Sequence, residues 1–87
     1  MNQYQKELLL NYQHYYQKQP GHSYQLIVVK YWFGETYNFF LTDLHGATYS
    51  YALVSIPFQA VTAYKTALKA LLVATDLPIE YHGFKKL

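Results

Sequence analysis

The chain is expected to fold as an α+β domain: a three-stranded antiparallel β-meander with an N-terminal and a C-terminal helix, α-β-β-β-α. Three observations predict it. Between Ser23 and Val54, blocks rich in β-branched and aromatic residues are broken at Gly34-Glu35 and again at Leu44-His45-Gly46. That is the composition and punctuation of strands joined by short turns. On either side of this stretch, from Met1 to Lys18 and from Ile56 to Ala74, apolar residues recur at helical spacing.

The N-terminal segment places Tyr4, Leu8, Leu9, Tyr12, Tyr15 and Tyr16 on one broad helical face, with Lys6, Gln13, Gln17 and Lys18 towards the other. Leu10 points away from that stripe and is a candidate exposed contact. Pro20-Gly21 stops the helix. The meander follows, and glycine at each break supplies the positive φ of a tight hairpin. With two-residue loops, Trp32 faces Tyr37 and Lys30 faces Phe39 on one side of the sheet. Tyr31 faces Asn38 and Val29 faces Phe40 on the other. The third strand then sets Tyr49, Tyr51 and Leu53 beside Phe40, and Ser50, Ala52 and Val54 beside Phe39. A three-residue second loop moves Tyr49 and Tyr51 to the opposite face. Neither face is cleanly polar, whereas a sheet solvated on one side alternates more sharply.

Ser55 is read as the N-cap of the second helix, with Pro57 in its first turn. Ala60, Val61, Tyr64, Ala67, Leu68 and Leu71 form its apolar side. Gln59, Thr62, Lys65, Thr66 and Lys69 form its polar side. Ile79-Glu-Tyr-His82 has the residues for a short fourth strand. The 87 residues suit a single domain spanning 1–87.

Composition narrows the function. Cysteine is absent, which removes disulfides and thiolate chemistry and suits a reducing compartment. No segment reads as a signal peptide or a membrane span, so a cytoplasmic protein without membrane association is expected. The net charge is +2 and every one of the seven basic residues is lysine. Without arginine the bidentate phosphate and guanine contacts are missing, which disfavours nucleic acid as a partner. The carboxylates Glu7, Glu35, Asp43, Asp76 and Glu80 are scattered, and no nucleophile elbow or phosphate-binding glycine loop is present. No enzyme and no cofactor are expected. His22, Asp43 and His45 fall at one end of the sheet with His14 nearby. They are a donor set for Zn²⁺ or Ni²⁺, but no pair has a recognised ligand spacing, so no metal is assigned.

Eleven tyrosines are the unusual feature. They suit the rim of a small core, anchors of a protein interface, or a platform for stacking bases. The reading carried forward is a non-catalytic interaction module that forms a homodimer through aromatic surface. Leu10, Tyr31, Phe40, Tyr49 and Tyr51 are the candidate interface residues. The alternative is a weak single-stranded nucleic-acid binder using tyrosine and lysine.

The order of elements resembles that of small bacterial proteins. The stretch from Tyr24 to His82 is similar in layout to the first β-β-β-α-β part of a ribonuclease H-like fold. That resemblance implies metal-binding carboxylates on the first strand, the first helix and the following strand. Here the first strand and the helix from Ile56 to Ala74 carry no acid, and Glu80 alone sits in a comparable place. The resemblance therefore extends to layout and not to nuclease chemistry.

Overall fold

A computed structural model describes residues 2–17, 20–44 and 49–84. In chain order the elements are α1 (Gln3–Tyr15), β1 (Tyr24–Tyr31), β2 (Thr36–Asp43), β3 (Tyr49–Pro57), a 3-10 turn (Phe58–Ala60), α2 (Val61–Ala74) and β4 (Ile79–His82). The α+β meander with a helix before and after it is present, and the fourth strand forms. The sheet order is β3-β2-β1-β4, antiparallel except that β4 runs parallel to β1. A parallel neighbour needs a crossover, and α2 supplies it. The layout from Tyr24 to His82 is thus β-β-β-α-β.

Asn2 caps α1: its side-chain oxygen accepts from the Gln5 amide at 2.8 Å. The helix ends at Tyr15, short of the expected Lys18, which lies outside the described residues. Tyr16 is already extended. Its ring stacks on Tyr12 at 5.2 Å and meets Tyr24 edge-on at 4.9 Å, contacts that draw the chain off the helical path towards the sheet.

The second helix also begins later than its periodicity implies. Ser55 is not a cap; its hydroxyl donates to the Asn38 side-chain oxygen at 2.7 Å. Ile56 and Pro57 stay in β3, opposite Tyr37 and Thr36. Ile56 is fully buried in that register, and proline is tolerated because it ends an edge strand. Tertiary packing here overrides the local signal for a helix start.

The registers differ from those of two-residue loops. Lys30 faces Tyr37, Tyr31 faces Thr36, Val28 faces Phe39 and Ile27 faces Phe40, because the first turn holds four residues, Trp32–Glu35. An even shift of two keeps every β1 and β2 side chain on its expected face. Positive φ in this turn belongs to Glu35 (54°) rather than to Gly34. The second connection spans 44–48, and β3 carries a bulge opposite the step from Phe39 to Phe40. Before the bulge Tyr51 pairs with Leu41 and Ala52 with Phe40; after it Val54 pairs with Phe39. The net slip is odd, so Tyr49 and Tyr51 take the face opposite the one expected from two-residue loops.

Both helices cover the same side of the sheet. Leu26 and Val28 of β1, Tyr37, Phe39 and Leu41 of β2, and Leu53, Val54 and Ile56 of β3 point there. They meet Leu8 and Tyr12 of α1 and Tyr64, Ala67 and Leu71 of α2 in one buried cluster. The bulge lets both Leu53 and Val54 enter it, and Asn11 of α1 donates to the Leu53 carbonyl at 2.7 Å. No helix of the described residues is long and apolar enough to cross a membrane.

Tyr64 stacks on Tyr37 at 3.9 Å inside this cluster. Burial, then the neighbouring Tyr81 and Tyr37, push its hydroxyl above the ordinary tyrosine value. A raised folded-state pKa favours the protonated form, so that stability is fully present below the unfolded pKa and lost as pH rises through the folded one. Tyr12 and Tyr24 are raised as well. Tyr64→Phe should therefore lose less stability than the wild type between about pH 8 and about pH 11. Urea midpoints at the two pH values check this; equal losses would rule it out.

Candidate functional site

The side of the sheet away from the helices is not covered by any described element. Alternation along the strands sends Gln25, Ile27, Val29 and Tyr31 of β1 to this face. From β2 come Asn38, Phe40 and Thr42, from β3 Ser50, Ala52 and Ser55, and from β4 Glu80 and His82. Ile27 and Phe40 are paired directly across the middle, with Val29 and Ala52 alongside; Ile27, Val29 and Phe40 are half-buried by one another's neighbours and Ala52 is exposed. The centre is apolar because β-branched and aromatic residues occupy these strand positions, and among the described residues no second layer packs over them.

Its rim is polar and internally bonded. Ser55 donates to Asn38 at 2.7 Å, and the Thr42 and Ser50 hydroxyls are 3.1 Å apart. Gln25 donates to one oxygen of Glu80 at 2.7 Å, and His82 Nε2 lies 2.8 Å from the other. These bonds occupy part of the hydrogen-bonding capacity of the rim and lower the cost of covering it. The face thus has an apolar centre within a polar border.

The candidate interface residues divide between the two faces. Phe40 lies at the centre of the open face and Tyr31 at its edge, opposite Thr36 and exposed. Tyr51 lies on the helix side, stacked on Tyr15 at 4.6 Å. Tyr49 also lies on that side, exposed and stacked on Tyr51 at 6.0 Å. Leu10 is exposed on α1, away from the core. Ile27 and Val29 complete the apolar centre, and sequence reasoning did not single them out. The usable signal was strand alternation, which sends Ile27 and Val29 to the face opposite Leu26 and Val28.

Histidine and carboxylate do meet at the end of the sheet. His22 Nδ1 lies 3.0 Å from Asp43 Oδ2, and both line a cleft of about 270 Å³ with His14, Tyr15, Tyr24 and Tyr51. The Tyr24 hydroxyl donates to the Gln17 carbonyl at 2.6 Å. Burial and then the Asp43 carboxylate raise its pKa above the ordinary value. His45 lies outside the described residues. Among the described residues no group of three or more histidine, aspartate and glutamate side chains is placed to hold a metal. Glu80, the acid that the ribonuclease H-like layout singles out, is engaged by Gln25 and His82.

A third arrangement is aromatic. The Lys30 ammonium sits 4.4 Å from the Trp32 ring centre, 5.4 Å from Phe58 and 5.9 Å from Tyr37. These are attractive cation–π distances, and they direct this lysine to the helix side of the sheet.

Comparison with known protein families, with curated proteins and with solved structures finds no match.

Proposed function

We propose that the chain is a non-catalytic interaction module that self-associates as a homodimer through the open face of its sheet. The observation that carries this reading is the Ile27–Phe40 pair at the centre of a face that no described helix covers. Two copies packed face to face remove this apolar centre from water, as the inner faces of a β-sandwich do. Tyr31 contributes at the border of the same surface.

Sedimentation equilibrium on the wild type and on Phe40→Glu tests it. The wild type should be a dimer at micromolar concentration. The variant should dissociate at least about 100-fold more readily, because a carboxylate in the apolar centre has no partner when buried. Unchanged circular dichroism would confirm that its fold is intact. A wild-type monomer at high micromolar concentration overturns the reading. The alternative of single-stranded nucleic acid has less support. No lysine of the described residues projects from the open face, and Glu80 sits on it. Binding of an oligonucleotide that weakens steeply with salt would favour that alternative instead.

A further inference from the structure

Phe33 is 96% exposed, at the tip of the turn between β1 and β2. The turn that presents it is braced on both sides. Trp32 Nε1 donates to the Gly83 carbonyl at 2.7 Å, and the Phe58 amide donates to the Glu35 carbonyl at 2.8 Å. The indole also meets the Phe58 ring edge-on at 5.4 Å. A ring held in place by its neighbours has less freedom to lose on docking.

The same chain carries an apolar hollow. Along the outer seam of α1 and α2 runs an open groove of about 510 Å³. Ala70 and Ala74 form part of its lining and end at Cβ, so the seam dips where they lie. Leu9 and Val73 line it too, Val73 being 89% exposed. Lys69 also lines the groove, and Glu35 lies two residues from Phe33. The two charges are opposite, and neither belongs to an ion pair among the described residues.

We infer that Phe33 of one copy seats in the α1–α2 groove of a second copy, with Glu35 facing Lys69. Knob and groove are different patches of one surface, so the contact links copies head to tail, or pairs two of them when both patches are engaged about a two-fold axis. It involves none of the residues at the centre of the open sheet face and stands apart from association there.

A photoreactive benzoylphenylalanine in place of Phe33 tests this directly, because it keeps an aromatic knob. Irradiated at about 0.5 mM, a concentration that populates contacts of sub-millimolar affinity, it should join copies through α1 near Leu9 or α2 between Thr66 and Ala74. Peptide mapping by mass spectrometry reads the attachment sites. Val73→Glu on the receiving copy should lower the yield about tenfold, and Val73 is exposed enough that the fold should survive. Lys69→Glu should also lower it, and pairing that variant with Glu35→Lys on the donor copy should restore it. Adding Phe40→Glu should leave the attachment sites unchanged, which separates this contact from the sheet face. Attachment elsewhere, no cross-link, or a yield indifferent to Val73→Glu overturns the inference.

Discussion

Replacing Phe39 with alanine is expected to unfold a large part of the protein, while the same change at its neighbour Phe40 is expected to be mild. The two residues are adjacent on β2 and identical in chemistry, and only the face differs. Phe39 is 1% exposed within the cluster and packs at an angle on Tyr64, with ring centres 5.9 Å apart. Truncating such a ring removes its transfer free energy and leaves a cavity that close-packed neighbours fill poorly, about 3–5 kcal/mol in all. A chain of this length has roughly 4–13 kcal/mol of total stability. The loss is therefore a large share of what holds the fold. Phe40 is half-buried on a face that no described element covers, so the corresponding loss is about 1 kcal/mol. Urea unfolding of both variants, at concentrations low enough to keep association out, checks the contrast. Similar costs at the two positions would mean that the assignment of faces is wrong.

The second large effect is expected at Gly83, which follows β4. Its φ is +79°, and a Cβ built there would lie 2.4 Å from the Lys30 carbonyl oxygen and 3.3 Å from the carbon of that carbonyl. Backbone cannot swing aside as a side chain can, so alanine must push the end of β4 off β1. Left-handed strain adds about 1–2 kcal/mol to this for a residue with a Cβ. The Trp32 indole would also lose its acceptor, the Gly83 carbonyl. Gly83→Ala should therefore lower stability by at least about 2 kcal/mol and shift the emission of the chain's single tryptophan. Amide exchange should quicken across Ile79–His82. Gly34→Ala is the matched control. A Cβ there meets the Tyr31 ring at 2.8 Å, but that ring is exposed and free to move, so the change should be nearly silent. If the two alanine variants were equally stable, the close approach at Gly83 would not be real.

These contrasts also show which features can be read from residues alone. The helices and the meander follow from periodicity, because amphipathic spacing and β-branched blocks state which side of each element must be buried. Faces on β1 and β2 were legible even with the wrong loop length, since a slip of two leaves parity unchanged. On β3 they were not. Five residues, an odd number, separate the paired Asp43 and Tyr49, and this moves Tyr51 from the open face to a stack on Tyr15. The bulge at Leu53 then adds one residue and returns Val54 to the face of Phe39. Nothing in the local composition announces an extra residue; it is favoured because it brings both Leu53 and Val54 into the cluster. The start of α2 was misread for a related reason. Ser55-Ile-Pro looks like a cap and first turn, yet Ile56 contributes more by filling the core as a strand residue. For the candidate site, Phe40 and Tyr31 were legible from alternation. Ile27 and Val29 became visible only once β4 had joined the sheet beside β1 without bringing a helix to their side.

The same bulge bears on how this sheet can grow. β3 is nine residues long and lies at one edge, a natural template for a further strand from another molecule and so for fibrillar aggregation. At Leu53 the ladder is interrupted, and the Leu53 carbonyl is occupied by the Asn11 side chain. An incoming strand would find its regular series of acceptors broken midway. At the opposite edge β4 offers only four residues, two of which are Glu80 and His82. Both edges thus offer an incoming strand a short or interrupted ladder, which disfavours growth through the backbone.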